Sequence, residues 1–210
     1  VENRGKYPVR KPTSVDFYLS ITPMLDPSAV HLGGTRLSFP ETKGSVSLEA
    51  RFLISPQIKD GNYFLWARID PQGELVEAEK ENNLAMAQGR VLLSPDLVVS
   101  ELQAALVKEG SLISITVKIK NQGNRPAAKA FSLALFLSSD GTIDGRDVRV
   151  ATPKVEGLAA GSTTPFNLNY PVPETLDPGS YFVLAQVDPE EKIFEGDKSN
   201  NIYWGSSLTL

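Results

Sequence analysis

Gly61-Asn62-Tyr63-Phe64-Leu65-Trp66-Ala67-Arg68-Ile69-Asp70-Pro71 and Gly179-Ser180-Tyr181-Phe182-Val183-Leu184-Ala185-Gln186-Val187-Asp188-Pro189 decide the fold. They are one pattern met twice, 118 residues apart (179 − 61 = 118). In each, a Gly opens a run with apolar residues at every second position, and an Asp-Pro closes it. Tyr63, Leu65, Ala67 and Ile69 form one such set, and Tyr181, Val183, Ala185 and Val187 the other. Period-two patterning is the mark of a half-buried strand, because successive side chains point to opposite faces of a sheet.

Working outward, the same offset holds along most of the chain. Asn3 matches Asn121, Gly5 matches Gly123, Pro8 matches Pro126, and Leu19-Ser20 match Leu137-Ser138. Asp26 matches Asp144, Val30 matches Val148, Glu77 matches Glu195, and Asn82-Asn83 match Asn200-Asn201. No gap is needed, so the sequence reads as a duplicated unit. The second copy opens at Pro95-Asp96-Leu97-Val98-Val99, whose counterpart would stand near position −23 (95 − 118 = −23). The expected domains are therefore 1–94, lacking its first strand or strands, and a complete 95–210. A sheet short of strands presents unpaired N–H and C=O groups, so strand pairing with a partner is expected at the open edge of the first domain.

Further alternating blocks in the second copy are Ile113-Ile115-Val117-Ile119, Phe131-Leu133-Leu135-Leu137 and Phe166-Leu168-Tyr170. Between them lie turn-forming stretches: Asn121-Gln122-Gly123, Asp140-Gly141, Ala160-Gly161-Ser162 and Asp177-Pro178-Gly179. No helix of three turns is visible. The reading is all-β: two tandem immunoglobulin-like antiparallel β-sandwiches. Tyr63 and Tyr181, each two residues after a Gly, fit a tyrosine corner, in which the phenol bonds back to the preceding crossover. Trp204 is expected in the core.

The second copy resembles the CARDB family, a cell adhesion related domain found in bacteria. The residues that carry the resemblance are Pro95-Asp96-Leu97-Val98-Val99, Asn121-Gln122-Gly123, Leu137-Ser138-Ser139-Asp140, Gly179-Ser180-Tyr181, Val187-Asp188, Glu195 and Asn200-Asn201. In the first copy the pattern runs from Asn3 to about Leu93, without the opening strand and with Asp26 alone of the loop aspartates. The resemblance implies an Ig-like sandwich found in tandem arrays of large exported proteins, used in adhesion or as a spacer. It implies no ligand.

Three groups of residues are candidates for chemistry. Asp140, Thr142, Asp144 and Asp147, with Gly141 and Gly145, give the start of an oxygen-rich loop that can wrap Ca²⁺, a cation needing about 6–8 oxygens. It is half an EF-hand pattern, since Thr142 replaces an acid or amide and Ala151 stands where a bidentate Glu is required. The competing reading is a polar turn in which Asp and Gly satisfy the local backbone. The first copy's equivalent, Thr22-Pro23-Met24-Leu25-Asp26-Pro27, should hold no metal.

The second group is Asp188, Glu195, Asp197, Asn200 and Asn201, with Asp70, Glu77, Glu79, Asn82 and Asn83 in the first copy. Paired carboxylates can serve as acid and base, but a duplicated cluster reads more simply as a recurrent turn. The third is the face opposite Tyr63 and Leu65, where Phe64, Trp66 and Arg68 form a candidate ligand-binding row that can stack on sugars or on a protein. The single His31 is replaced by Arg149 in the second copy, which gives a catalytic triad no support.

Composition narrows the function classes further. The net charge is −4, without a basic run, which argues against nucleic acid as a partner. There is no Cys, so thiol catalysis and Cys-ligated zinc are excluded. No stretch approaches the roughly 18 apolar residues of a membrane-spanning helix, so no membrane insertion is expected. Val1-Glu2-Asn3-Arg4-Gly5 is not a secretory signal, so any signal is expected upstream. The expected function is that of a non-catalytic, extracellular structural or adhesion module of a larger exported prokaryotic protein. Its expected partners are other domains of the same polypeptide and a cell-surface protein or polysaccharide. The alternative is a carbohydrate- or protein-binding accessory module of a secreted enzyme. The link Val91-Leu92-Leu93-Ser94-Pro95-Asp96 is short and contains a proline, which predicts restricted motion between the domains.

Overall fold

The computed structural model describes residues 1–39, 44–108, 111–174 and 176–210. The chain is all-β, and every strand pairing is antiparallel. It divides into two compact units, Val1–Leu93 and Ser94–Leu210.

In the first unit the strands are β1 (Thr13–Ser20), β2 (Val30–Leu37), β3 (Gly61–Ile69) and β4 (Leu84–Leu93), in the sheet order β2-β1-β3-β4. A single 3-10 turn, Glu81–Asn83, leads into β4. Val15, Leu19, Leu37, Tyr63 and Leu93 are buried on one face of this sheet. Val9 and the segment holding Val46, Leu48, Ile54 and Ile58 pack over them. Among the described residues of this unit, the other strand pairing is a single bridge, Glu2 to Ser45.

The second unit contains β5 (Leu97–Val107), β6 (Leu112–Asn121), β7 (Phe131–Ser138), β8 (Val148–Ala151), β9 (Lys154–Val155), β10 (Thr163–Pro171), β11 (Ser180–Val187) and β12 (Ile202–Thr209). It is a sandwich of the sheet β10-β6-β5 on the sheet β12-β11-β7-β8, with β9 also paired to β7. The alternation read from the sequence is what the core uses. Ile113, Ile115, Val117 and Ile119 of β6 are fully buried, as are Leu133 and Leu135 of β7 and Val183 and Ala185 of β11. Each large apolar side chain so placed stabilises the fold by about 1.5–3 kcal/mol relative to exposure.

Two features go beyond the alternation. All of β7 is buried, because its outward Ala134 and Phe136 are also covered. β5 continues past Ser100 with a register shift between Val99 and Glu101, and its far half leans on β12 of the other sheet. There the Ala104 amide donates to Ser206 Oγ (3.1 Å). Gly205 lies so close to Leu102 that a Cβ would come within 2.7 Å of its Cγ.

Strand bounds recur between the units at the offset of the sequence pattern. β1 matches β7 residue for residue, since 13 + 118 = 131 and 20 + 118 = 138. Both tyrosines form the expected corner: Tyr63 Oη donates to Lys59 O (2.8 Å) and Tyr181 Oη to Asp177 O (2.9 Å).

Candidate functional site

The loop between β7 and β8 brings Asp140, Thr142, Asp144 and Asp147 together. Ser138, at the end of β7, starts it. Its Oγ accepts the Gly141 amide (3.0 Å) and donates to Thr142 O (3.3 Å). Gly141 takes φ +79°, a conformation that favours glycine. The carboxylates then close small turns: Asp140 Oδ1 accepts the Thr142 amide (2.9 Å), Asp144 Oδ1 the Arg146 amide (2.8 Å), and Asp147 Oδ2 the Asp144 amide (2.7 Å).

The remaining oxygens of Asp140 and Asp144 face Arg146. Its Nη2 lies 2.8 Å from Asp140 Oδ2 and 2.6 Å from Asp144 Oδ2, and its Nε 3.0 Å from the latter. Hydrogen bonds from Arg146 hold the Asp144 carboxyl below the usual aspartate range, and the carboxylates in turn raise the guanidinium. In this arrangement the carboxylates are engaged by a guanidinium, whereas Ca²⁺ takes about 6–8 oxygens. Calcium would require Arg146 to swing away from both carboxylates. Among the described residues, no three His, Cys, Asp or Glu side chains converge as a metal-holding group.

One apolar contact and one hydrogen bond fix the loop on the sandwich. Ile143 packs on Ala134, Phe136 and Leu184, and Trp204 Nε1 donates to Gly141 O (2.8 Å). Trp204 is therefore not in the core: it is 60% exposed, with Phe182, itself 42% exposed, beside it across Gly141. The sequence reading missed this aromatic pair. β12 lies at the sheet edge, where neither face is fully covered, so a large aromatic there carries no burial signal. The corresponding loop of the first unit keeps the frame with Asp26 in the place of Asp144 and without the arginine. Ser20 Oγ donates to Met24 O (2.9 Å), and Asp26 Oδ1 accepts the amide of Ser28, which stands where Arg146 does.

The carboxylate and amide cluster is built into backbone geometry. Asp188 holds φ 47° while its two oxygens accept the amides of Lys192 (3.0 Å) and Ile193 (2.9 Å). Asp70, at φ 48°, does the same for Glu74 and Leu75 (2.9 Å each). Glu195 is buried, with Oε2 accepting the Leu97 amide (2.6 Å) and Oε1 the Asn201 side-chain amide (2.9 Å). Burial raises its pKa, and the nearby Asp188 and Asp96 push the same way. Asn83 donates to Glu77 (2.7 Å) in the first unit. Asp197 stands apart, capping Ser199 (2.9 Å to its amide). In this cluster the aspartates and Glu195 take up backbone amides, while Asn83 and Asn201 donate to the glutamates.

The row Phe64, Trp66 and Arg68 lies along β3 on the side away from the core. It is not an open platform. Arg90 sits over the Phe64 ring at 4.1 Å, and Trp66 is half-buried with its Nε1 enclosed and without a partner. Arg68 is exposed. On the same sheet face, His31 Nε2 lies 3.2 Å from Asp16 Oδ2 and its ring 5.0 Å from that of Tyr18, a contact the sequence reading did not anticipate.

Comparison with known proteins gives a family match over residues 94–204, to CARDB. No curated protein matches the sequence. Among solved structures, a domain of a putative cell surface protein from Methanosarcina acetivorans is 28% identical, with 56% of this chain and 92% of that one covered at a TM-score of 0.44. A CARDB domain from Pyrococcus furiosus, determined in complex with di-metal ions, is 20% identical over 57% of this chain and 96% of that one, also at 0.44. A β-glucosidase from Thermotoga neapolitana matches over 55% of this chain but only 16% of its own, with 19% identity and a TM-score of 0.39.

Proposed function

The chain belongs to the CARDB family, and from that premise we propose that it is a non-catalytic structural and adhesion-related module, in which units of one architecture are strung in series outside the cell to space or present other domains. One observation carries the reading: the acidic and amide side chains that resemble reactive groups are spent on their own backbone. Asp70, Asp140, Asp144, Asp147, Asp188 and Glu195 each accept a backbone amide. A carboxylate so committed holds turns and strand ends in place, and moving a proton would cost those bonds.

The first unit is proposed as a second copy of the same domain. The matching bounds of β1 and β7 and the paired tyrosine corners support this. An extracellular setting rests on the family's association with adhesion. Among the described residues, no helix is long and apolar enough to cross a membrane.

The alternative, carbohydrate or protein binding through Phe64, Trp66 and Arg68, has less support because Arg90 covers Phe64. If a sugar is bound by stacking, the exposed Trp204 and Phe182 offer the freer rings. Affinity electrophoresis through polysaccharide gels decides between the readings. The spacer reading expects equal mobility for wild type, Trp66→Ala and Trp204→Ala in every gel. Retardation of wild type that one substitution abolishes would replace it with the binding reading and identify the face.

A further inference from the structure

The outward face of the first unit's sheet carries arginines on three of its four strands. Arg36 of β2, Arg68 of β3 and Arg90 of β4 stand on the side away from the buried Val15, Leu19 and Tyr63, and all three are exposed. Strand register fixes their arrangement: Arg36 pairs with Ser14 and Arg68 with Asp16, both on β1, and Arg90 pairs with Phe64 on β3. Strands about 4.8 Å apart with a rise of about 3.3 Å per residue put the Arg36 backbone about 12 Å from Arg68, and Arg68 about 14 Å from Arg90. The three positions form a diagonal row across the sheet. Tyr18, Trp66 and Met86, paired side by side, lie between Arg68 and Arg90.

Among the described residues, none of the three arginines forms an ion pair with a carboxylate. Asp16, the acid opposite Arg68, is turned toward β2. Its Oδ1 lies over Gly34, where a Cβ would come within 2.1 Å of it, and its Oδ2 is 3.2 Å from His31 Nε2. The second unit shows that the sandwich does not call for such a row. At the same pairings it has Lys154 opposite Ser132, Gln186 opposite Ala134 and Ser207 opposite Phe182, and Lys154 is already 2.8 Å from Glu156. A chain of net charge −4 therefore gathers three exposed cations on one face of one unit. Arginine forks bind carboxylates bidentately, and arginine is enriched at protein interfaces. The rings of this face are poor platforms for sugars, because Arg90 covers Phe64 and Trp66 is half-buried, so charge selects the partner.

We propose that Arg36, Arg68 and Arg90 form a docking row for an acidic, extended segment of another protein, with carboxylates about four residues apart. At about 3.3 Å per residue that spacing is about 13 Å, which matches both intervals of the row. Leu84 and Met86, both exposed on β4, offer apolar contact beside it.

The test titrates the full chain into a labelled synthetic peptide of Ser and Thr with Glu at every fourth position, read by fluorescence anisotropy. One control peptide has Gln for each Glu, and another has the same number of Glu residues in one consecutive block. The row variant carries Arg36→Gln, Arg68→Gln and Arg90→Gln, and a charge-matched variant carries Arg4→Gln, Arg10→Gln and Arg51→Gln. The expected result is binding of the spaced peptide at least tenfold tighter than either control. The row variant should lose at least tenfold in affinity and the charge-matched variant less than threefold. If the row variant melts early, Arg68→Gln alone carries the test, with at least a threefold loss expected. Absence of saturable binding, equal binding of a control peptide, or equal loss in the two triple variants would overturn the docking row. Displacement of the peptide by polygalacturonate at a lower carboxylate concentration would also overturn it, assigning the arginines to an acidic glycan.

Discussion

Glu195 shows how one side chain joins distant parts of the second unit. It binds the first amide of β5 and the Asn201 side chain just before β12, and burial raises its pKa. A raised carboxyl means that the folded chain holds the proton more tightly than the unfolded one. Its contribution is therefore complete below the ordinary glutamate value and is lost as pH rises through the folded value. Glu195→Gln should flatten stability against pH between the ordinary glutamate value and neutrality, measured by denaturant melts. Glu195→Ala leaves the buried Leu97 amide without an acceptor and should cost about 1–3 kcal/mol. Gly123 is a second sensitive residue: a Cβ there would lie 2.4 Å from Ser94 O and 2.5 Å from the Asp96 amide, both backbone. Gly123→Ala is expected to lower stability by about 1–3 kcal/mol through forced backbone movement, read as a shifted denaturant midpoint. The tyrosine corners were legible from Gly61-x-Tyr63 and Gly179-x-Tyr181. The Glu195–Leu97 bond was not, because 98 residues separate its partners.

Among the elements, β6 and β10 were the easiest to read, since each has one face on the core. The far half of β5 was missed: Glu101 to Val107 lies beyond a register shift, where the apolar alternation breaks. The Asp140–Asp147 loop was legible as a constellation but not as a structure. From the sequence a calcium loop and a polar turn were both open readings, and neither included Arg146, which reaches Asp140 and Asp144. The arrangement expects wild type to show no calorimetric heat and no change in melting temperature with Ca²⁺. Arg146→Ala should speed amide exchange across the loop and return the Asp144 carboxyl toward its ordinary pKa. A calcium-dependent rise in wild-type melting temperature that disappears in Asp144→Ala would restore the calcium reading.

For the whole molecule, we propose that one architecture is met twice: a second sheet is present in the unit Ser94–Leu210, while the described residues of Val1–Leu93 form one sheet and a single bridge beside it. The 118-residue period of the sequence is what suggests the repeat. What the sequence did not show is how the first unit covers its core face, which irregular backbone around Val46, Leu48 and Ile54 does in place of a regular sheet. Paired strands open only with much of their unit, while unpaired backbone exchanges through local fluctuation. Residue-resolved hydrogen exchange on the free chain measures this difference most directly. The expected result is strong protection from Ile113 to Ile119 in β6 and within β10, with amides of Ser47–Leu53 exchanging at least tenfold faster than those of β10. Equal protection in the two segments would contradict the account.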